Sequence, residues 1–197
     1  MKNIIITGAS SGIGKATALH FAANHWNVIA TMISLEEGKD LQNRPNIHCY
    51  LLDVTSTESI QTAKEKIVQD FKTIDALINN AGIGYRSFVE LSEDTNIKSI
   101  VEVNWLGVVK VSRAFIPVFR MQNHGQIINI SSIAGLVNLP LGSFYHATKQ
   151  AVESFSECMA YELIDFKISV CTVQFGNAAT NFQSNVTKSP TSGIAAY

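Results

Sequence analysis

Short apolar runs alternate with longer amphipathic stretches along most of the chain. The run at 3–7 is rich in β-branched residues, and the stretch at 12–24 carries Ala, Leu and Phe at helical spacing. The same pattern predicts further strands at 28–33, 47–52, 74–78, 126–130 and 168–173. It predicts further helices at about 57–71, 96–120 and 143–163. Because the predicted strands are almost wholly apolar and are separated by helices, we expect a doubly wound α/β fold with a parallel sheet covered on both faces.

The length and composition indicate one domain. A chain of 197 residues with 46% hydrophobic residues can bury a sizeable core, and no repeat or low-complexity linker divides it. The stretch from 176 onward differs, because it is rich in Asn, Ser, Thr and Ala and shows no clear period. We therefore predict a single domain over 1–197 whose final part, 176–197, is a loop or a poorly packed helix.

Charge and cysteine content exclude several classes of protein. The formal net charge is -1 and the pI is about 6.5, so the chain lacks the basic surface that nucleic acid binding requires. Its 3 cysteines are widely spaced and form no C-x-x-C pair, which speaks against a disulfide framework and a zinc site. The apolar run behind Met1 is too short for a signal peptide or a membrane span. We expect a soluble, cytoplasmic protein that binds neither nucleic acid nor membranes.

Three glycines stand where the first predicted strand turns into the first predicted helix. The segment reads Thr7-Gly8-Ala9-Ser10-Ser11-Gly12-Ile13-Gly14. Glycine lets backbone N–H groups approach a pyrophosphate closely, and the start of the helix faces the negative charge. In this position the glycines indicate a dinucleotide-binding domain with a Rossmann fold rather than an ordinary turn. The predicted cofactor contacts are Gly8, Ser10, Ser11, Gly12, Ile13 and Gly14.

The end of the second predicted strand bears on the choice between NAD and NADP. An acidic residue that binds the adenosine ribose is expected there, but the residues are Met32, Ile33 and Ser34. Glu36 and Glu37 come slightly late, at the expected start of the next helix. Since no carboxylate at the strand end repels a ribose phosphate, NADP is favoured over NAD, although no Arg stands there to bind that phosphate.

Three side chains in the second half of the chain can meet at one point. Tyr145 and Lys149 are four residues apart in a predicted helix, and Ser132 ends the preceding strand at the carboxyl edge of the sheet. Reduction of a carbonyl by hydride leaves an alkoxide that needs a proton, and a nearby ammonium lowers the pKa of a phenol that supplies it. Ser132 can polarise the substrate oxygen, while Lys149 can also bind the nicotinamide ribose. We predict hydride transfer between a nicotinamide cofactor and a small carbonyl or alcohol substrate.

Together these motifs resemble the short-chain dehydrogenase/reductase family from Lys2 to about Phe182. The family pattern is also met at Asp53-Val54, at Asn79-Asn80-Ala81-Gly82 and at Asn104. The resemblance implies that Asp53 and Asn80 approach the adenosine and that Asn104 holds a water in a proton relay. The catalytic residues that it implies are Asn104, Ser132, Tyr145 and Lys149. The further cofactor contacts that it implies are Asp53, Val54, Asn80, Ala81, Gly82, Tyr145, Lys149, Gly176 and Thr180.

The resemblance weakens after the sixth predicted strand. Family members usually have Pro-Gly there, whereas this chain has Phe175-Gly176, with Thr180 in the place of the Thr that contacts the nicotinamide carboxamide. Phe175 can reshape the pocket or pack against the sheet, and packing is favoured. The family usually continues through a substrate-covering segment and a seventh strand, so we expect the substrate side at 176–197 to be incomplete.

Two other functions compete with hydride transfer as interpretations of the sequence. A regulatory or scaffold protein of the same fold would bind NADP without turnover. A metal-dependent hydrolase would need clustered ligands, but the 5 histidines are scattered and no metal site is expected. His146 receives no catalytic role. The helices at 96–120 and 143–163 carry apolar residues on more than one face, which favours a homodimer or homotetramer, as in family members.

Overall fold

Parallel strands form the centre of the protein, whose computed structural model describes residues 1–189. The strands are β1 Asn3–Thr7, β2 Asn27–Met32, β3 Ile47–Leu51, β4 Ala76–Asn79, β5 Tyr85–Arg86, β6 Gly125–Ser132, β7 Ile168–Phe175 and β8 Thr187–Lys188. Six of them form one parallel sheet in the order β3-β2-β1-β4-β6-β7, while β5 and β8 form a separate parallel pair. The predicted doubly wound fold is confirmed.

Helices cover both faces of this sheet. They are α1 Gly12–Ala23, α2 Lys39–Gln42, α3 Thr57–Asp70, α4 Asp94–Val101, α5 Gly107–Gln122 and α6 Ser143–Leu163. A π-helical turn, Glu102–Leu106, joins α4 to α5. Within residues 1–189, no helix combines the length and the apolar content that crossing a bilayer requires.

The direction of winding reverses at β1, which pairs with β2 on one side and with β4 on the other. In open α/β sheets, the loops beyond the carboxyl ends of the strands part at this reversal and leave a crevice for a ligand. The loops that follow β1 and β4 therefore stand at the place where a dinucleotide is expected.

Successive residues of each central strand supply two hydrophobic cores. In β1, Ile5 packs with the core beneath α3, α5 and α6, where Phe115 and Phe119 are fully buried. Its neighbours Ile4 and Ile6 pack on the opposite face, with Ala18 of α1. Full burial of such a side chain contributes about 1.5–3 kcal/mol, which explains the run of three isoleucines in the middle of β1.

Two elements differ from the prediction. The stretch at 96–120 is not one regular helix, because the wider turn Glu102–Leu106 interrupts the regular pattern between α4 and α5. The part of the tail at 176–189 is mostly irregular, but Thr187–Lys188 returns to pair with Tyr85–Arg86, and the rest of the predicted segment 176–197 lies outside the described residues. The strand pair depends on backbone partners about a hundred residues away along the chain, so a local period does not show it.

Candidate active site

Glycine is required at the start of the loop between β1 and α1. Gly8 and Gly12 have φ values of 64° and 54°, in the left-handed region that side chains disfavour. A Cβ built on Gly8 would also lie 2.8 Å from the Cα of Ala81. The β1 loop and the β4 loop therefore touch backbone to backbone at the crevice.

Asn80 fastens these two loops together. Its side-chain nitrogen donates to the carbonyl oxygens of Thr7 at 2.9 Å and Gly8 at 3.1 Å. In return, Thr7 Oγ1 accepts from the N–H groups of Asn80 and Ala81 at 2.9 and 3.1 Å. A Cβ on Gly14 would collide with the Asn80 side chain and the Gly8 carbonyl. These bonds give Asn80 a structural role in addition to the predicted adenosine contact.

Asp53 lies half-buried just beyond β3, at the same edge of the sheet. Its Oδ1 accepts from the backbone N–H of Thr55 at 2.8 Å and from the Thr55 hydroxyl at 2.7 Å. The neighbouring Val54 is buried against Gly107, where an added Cβ would lie 2.9 Å from the valine. Through Oδ1, the Asp53 carboxylate thus stabilises the turn from Asp53 to Thr55. This turn lies at the edge of the sheet where the resemblance predicts the adenosine.

The end of β2 differs from the expectation in one respect. Met32 is buried and Ile33 is 70% exposed, so no carboxylate lies at the strand end itself. Glu37, however, precedes the short helix α2 instead of starting it, and its Oε2 accepts from Ser10 Oγ at 3.5 Å. We call the glycine-rich segment from Gly8 to Gly14 the phosphate loop. The carboxylate of Glu37 therefore reaches the phosphate loop, although its position in the sequence had indicated that it comes too late to do so.

Ser132 and Tyr145 approach each other from β6 and α6. Ser132 Oγ accepts from the N–H of Ala134 at 3.2 Å and donates to the carbonyl oxygen of Phe175 at 3.4 Å. Burial raises the pKa of Tyr145 above its usual value, and a hydrogen bond with Ser132 acts in the opposite direction. The phenol therefore keeps its proton unless a positive charge nearby makes the phenolate more stable.

Lys149 is a buried, positively charged side chain near Tyr145. It is only 5% exposed, and its Nζ donates to the carbonyl oxygen of Ile130 at 2.8 Å. The same nitrogen lies 5.9 Å from the centre of the Tyr145 ring. Burial lowers the pKa of Lys149 to about 8, while the carboxylate of Glu153, one helical turn further on, acts in the opposite direction. At neutral pH the side chain is therefore mostly protonated.

Asn104 sits in the π-helical turn and is fully buried. Its Oδ1 accepts from the N–H of Ile83 at 2.8 Å, and its Nδ2 donates to the Ile83 carbonyl at 2.9 Å. A Cβ on Gly82 would lie 3.4 Å from Asn104 Oδ1 and 3.8 Å from Lys149 Nζ. Asn104 thus holds the β4 loop beside Lys149, so all four predicted catalytic residues share one region.

The segment after β7 forms one wall of a cleft, and α1 forms the other. The cleft has a volume of about 700 Å³ and lies between the α1 residues Gly12 to His20 and the segment Ala178 to Asn181. A Cβ on Gly12 would lie 3.8 Å from the Thr180 side chain, whereas a Cβ on Gly176 would meet nothing within 4 Å. Phe175 lines this cleft, so it takes part in the pocket as well as in the sheet.

Sequence reasoning missed a contact that the tail makes with the site. The centre of the Phe182 ring lies 6.0 Å from the centre of the Tyr145 ring. Gly84 leaves room for this segment, because a Cβ there would lie 2.6 Å from Val186 and 3.2 Å from Phe182. An aromatic residue just after Thr180, within an otherwise polar tail, was the signal available. His146, which received no catalytic role, is buried in α6.

Comparison with known proteins agrees with this geometry. The sequence model of the family described as short chain dehydrogenase matches residues 2–191. A 3-ketodihydrosphingosine reductase from Bacteroides thetaiotaomicron is 39% identical over 182 residues, which cover 92% of this chain and 66% of that protein. This chain thus spans slightly less than two thirds of the length of that relative.

Solved structures share the fold over nearly the whole chain. A short-chain dehydrogenase from Streptomyces avermitilis has a TM-score of 0.92 at 32% identity, covering 100% of this chain and 74% of that one. ElxO with NADP bound has a TM-score of 0.88 at 33% identity, covering 93% of this chain and 77% of that one. The family match over 2–191 and these relatives establish that the chain belongs to the short-chain dehydrogenase family.

Proposed function

We propose that the protein is an NAD(P)(H)-dependent oxidoreductase that interconverts a carbonyl compound and an alcohol. One observation carries the proposal: Ser132, Tyr145 and the buried Lys149 converge at the carboxyl edge of the sheet. The phosphate loop opens onto the same edge, so a nicotinamide and a substrate carbonyl can lie side by side there.

The residues around the crevice fit a dinucleotide. The backbone at Gly8 and Gly12 leaves an approach free of Cβ atoms, and the first turn of the 12-residue helix α1 points unpaired N–H groups toward it. The NADP bound to the structural relative ElxO supports the same cofactor class for this chain.

Each catalytic side chain has a separate task. When bound, the reduced nicotinamide supplies a hydride to the carbonyl carbon. Ser132 donates a hydrogen bond to the carbonyl oxygen and polarises it. Tyr145 delivers its proton to the alkoxide oxygen, and the ammonium of Lys149 stabilises the phenolate that remains. In the oxidative direction, Tyr145 accepts the alcohol proton instead.

A non-catalytic protein of the same fold is the competing function. Phe175 lines the cleft where family members usually have a proline, and a bulky ring there can narrow the pocket. The presence of Ser132 and Tyr145 together with Lys149 argues against this alternative, because a protein that only binds the cofactor needs neither a proton donor nor a group that polarises a carbonyl.

Isotope transfer tests the proposed function. The complete protein is incubated with NADPH or NADH carrying deuterium at the transferred position, together with a panel of aldehydes and ketones. We expect the deuterium on the carbinol carbon of the product alcohol. Tight binding of the cofactor without label transfer to any carbonyl would favour the regulatory or scaffold alternative.

We also propose that the protein assembles as a homodimer or homotetramer. Tyr161 is exposed near the end of α6, and Trp105 is partly exposed in the π-helical turn. The stretches 96–120 and 143–163 therefore carry exposed aromatic side chains that a second copy of the protein can cover. Light scattering of the complete protein is expected to give a multiple of the monomer mass. A monomer at every concentration would contradict this proposal.

A further inference from the structure

The segment between Ser132 and Tyr145 is unusually apolar for a surface loop. No Asp, Glu, Lys or Arg occurs between Arg120 and Lys149. Between Ser132 and Tyr145, five large aliphatic side chains are exposed, among them Leu136 at 64% and Leu139 at 62%. We call this set the apolar rim, and its members are Ile133, Leu136, Val137, Leu139 and Leu141.

The apolar rim is fixed in place by hydrogen bonds of its backbone. The carbonyl oxygen of Val137 lies 2.7 Å from Nδ1 of His146, the residue after Tyr145. The carbonyl oxygen of Leu141 accepts from the N–H of Ser87 at 3.0 Å. Because both ends of the loop are tied to neighbouring elements, the leucines between them stay on the surface.

Apolar side chains of two other segments also lie near the candidate catalytic residues. Phe182 lies 6.0 Å from its ring, and Ile83 is partly exposed next to Gly82. The surface around the candidate catalytic residues is thus apolar on the rim side and on the tail side. A ligand with a charged or strongly hydrated chain gains nothing from such a surface, whereas a hydrocarbon chain is removed from water by it.

We infer that the substrate carries an unbranched alkyl or acyl chain, which lies along the apolar rim while its carbonyl group sits at Ser132 and Tyr145. This inference rests on the proposed function, since it takes the reacting carbonyl to be at Tyr145. Continuity favours a substrate chain over a second protein as the occupant, because the rim begins at the residue after Ser132 and ends four residues before Tyr145.

A ladder of methyl ketones from butanone to decanone tests the inference on the complete protein with its cofactor. We expect kcat/KM to rise by about two- to fourfold for each added methylene, where fourfold corresponds to full burial at about 0.8 kcal/mol. The double variant Leu136→Ser with Leu139→Ser is expected to lower the ratio of decanone to butanone kcat/KM by tenfold or more. Met121→Ser serves as the control, because it removes another exposed hydrophobic side chain, at the far end of α5. It is expected to leave the increase of kcat/KM with ketone chain length unchanged.

Binding measured without turnover separates this inference from the proposed function. In the Tyr145→Phe protein with bound cofactor, calorimetry is expected to show that decanone binds more tightly than butanone and that the two serine substitutions remove the difference. If no ketone is reduced, the proposed function fails, and this binding experiment alone decides the inference.

Other outcomes would overturn the inference. Equal kcat/KM values for all the ketones would exclude an alkyl chain on the apolar rim without contradicting the proposed carbonyl reduction. If the double variant keeps the increase of kcat/KM with chain length but changes its oligomeric mass, a second copy of the protein covers the leucines. A lower Tm with an unchanged ladder would show that they are covered by the chain itself.

Discussion

Lys149 carries its ammonium nitrogen to within 5.9 Å of the centre of the Tyr145 ring, one helical turn away along α6. The nitrogen donates a hydrogen bond to the carbonyl oxygen of Ile130 on β6. A flexible side chain is thereby fixed in a buried position near the phenol. The cost of this burial and its benefit to catalysis can be measured separately.

Lys149→Met is expected to stabilise the cofactor-free protein while it abolishes turnover and weakens cofactor binding. The pKa of Lys149 in the folded protein, about 8, lies below the usual lysine pKa of 10.5, so below pH 8 the folded protein must hold a proton that burial disfavours. The full penalty, on the order of 3 kcal/mol, applies there, and it disappears as the pH rises to about 10.5. Denaturant unfolding at neutral pH and at about pH 10.5 tests this prediction.

In that experiment the stability advantage of the variant should shrink as the pH rises, because the unmodified protein loses its penalty. Lys72→Met, at an exposed position, serves as the control and should show no such pH dependence. A Lys149→Met protein that is less stable than the unmodified protein at neutral pH would contradict the prediction.

Two glycines of the phosphate loop are expected to respond differently to alanine. Gly14→Ala places a methyl group against the Asn80 side chain and the Gly8 carbonyl, so we expect it to lower the free energy of unfolding by about 2–3 kcal/mol. Gly12→Ala meets only Thr180 at 3.8 Å, and its cost is the left-handed backbone alone, about 1–2 kcal/mol. Equal losses in chemical denaturation would show that steric contact with Asn80 is unimportant.

Cofactor choice gives a further prediction. NADPH is expected to bind more tightly than NADH, because no carboxylate stands at the end of β2. Glu37 works against this preference by bringing its charge to Ser10, so Glu37→Gln should raise NADPH affinity several-fold and leave NADH affinity nearly unchanged. Fluorescence titration of both cofactors decides it. Tighter binding of NADH by the unmodified protein would refute the preference.

The local pattern of the chain predicted the sheet well, and it did so for a physical reason. A strand such as Asn3–Thr7, covered on both faces, carries three consecutive isoleucines between its polar ends, and a glycine that the turn requires follows it. The periodic pattern of apolar residues likewise predicted the helix Ser143–Leu163, and both predicted ends agree with the structure. Elements of this kind are determined by neighbours that are close along the chain.

The site residues were harder to predict where distant parts of the chain meet. The π-helical turn around Asn104 depends on bonds to Ile83, and the position of Glu37 depends on the loop that precedes α2. The contact of Phe182 with Tyr145 depends on the return of the tail. None of these has a local period or a turn signature, so only the folded chain shows them. The roles assigned to the candidate catalytic residues stay predictions.

The most direct test of the central claim is turnover by the Tyr145→Phe variant of the complete protein on a ketone that the unmodified protein reduces. Phenylalanine keeps the ring but has no proton to deliver, so we expect undetectable turnover with unchanged NADPH affinity. Ser132→Ala should retain a measurable rate, lower by roughly 10²-fold. Turnover by Tyr145→Phe at the rate of the unmodified protein would contradict the proposed mechanism.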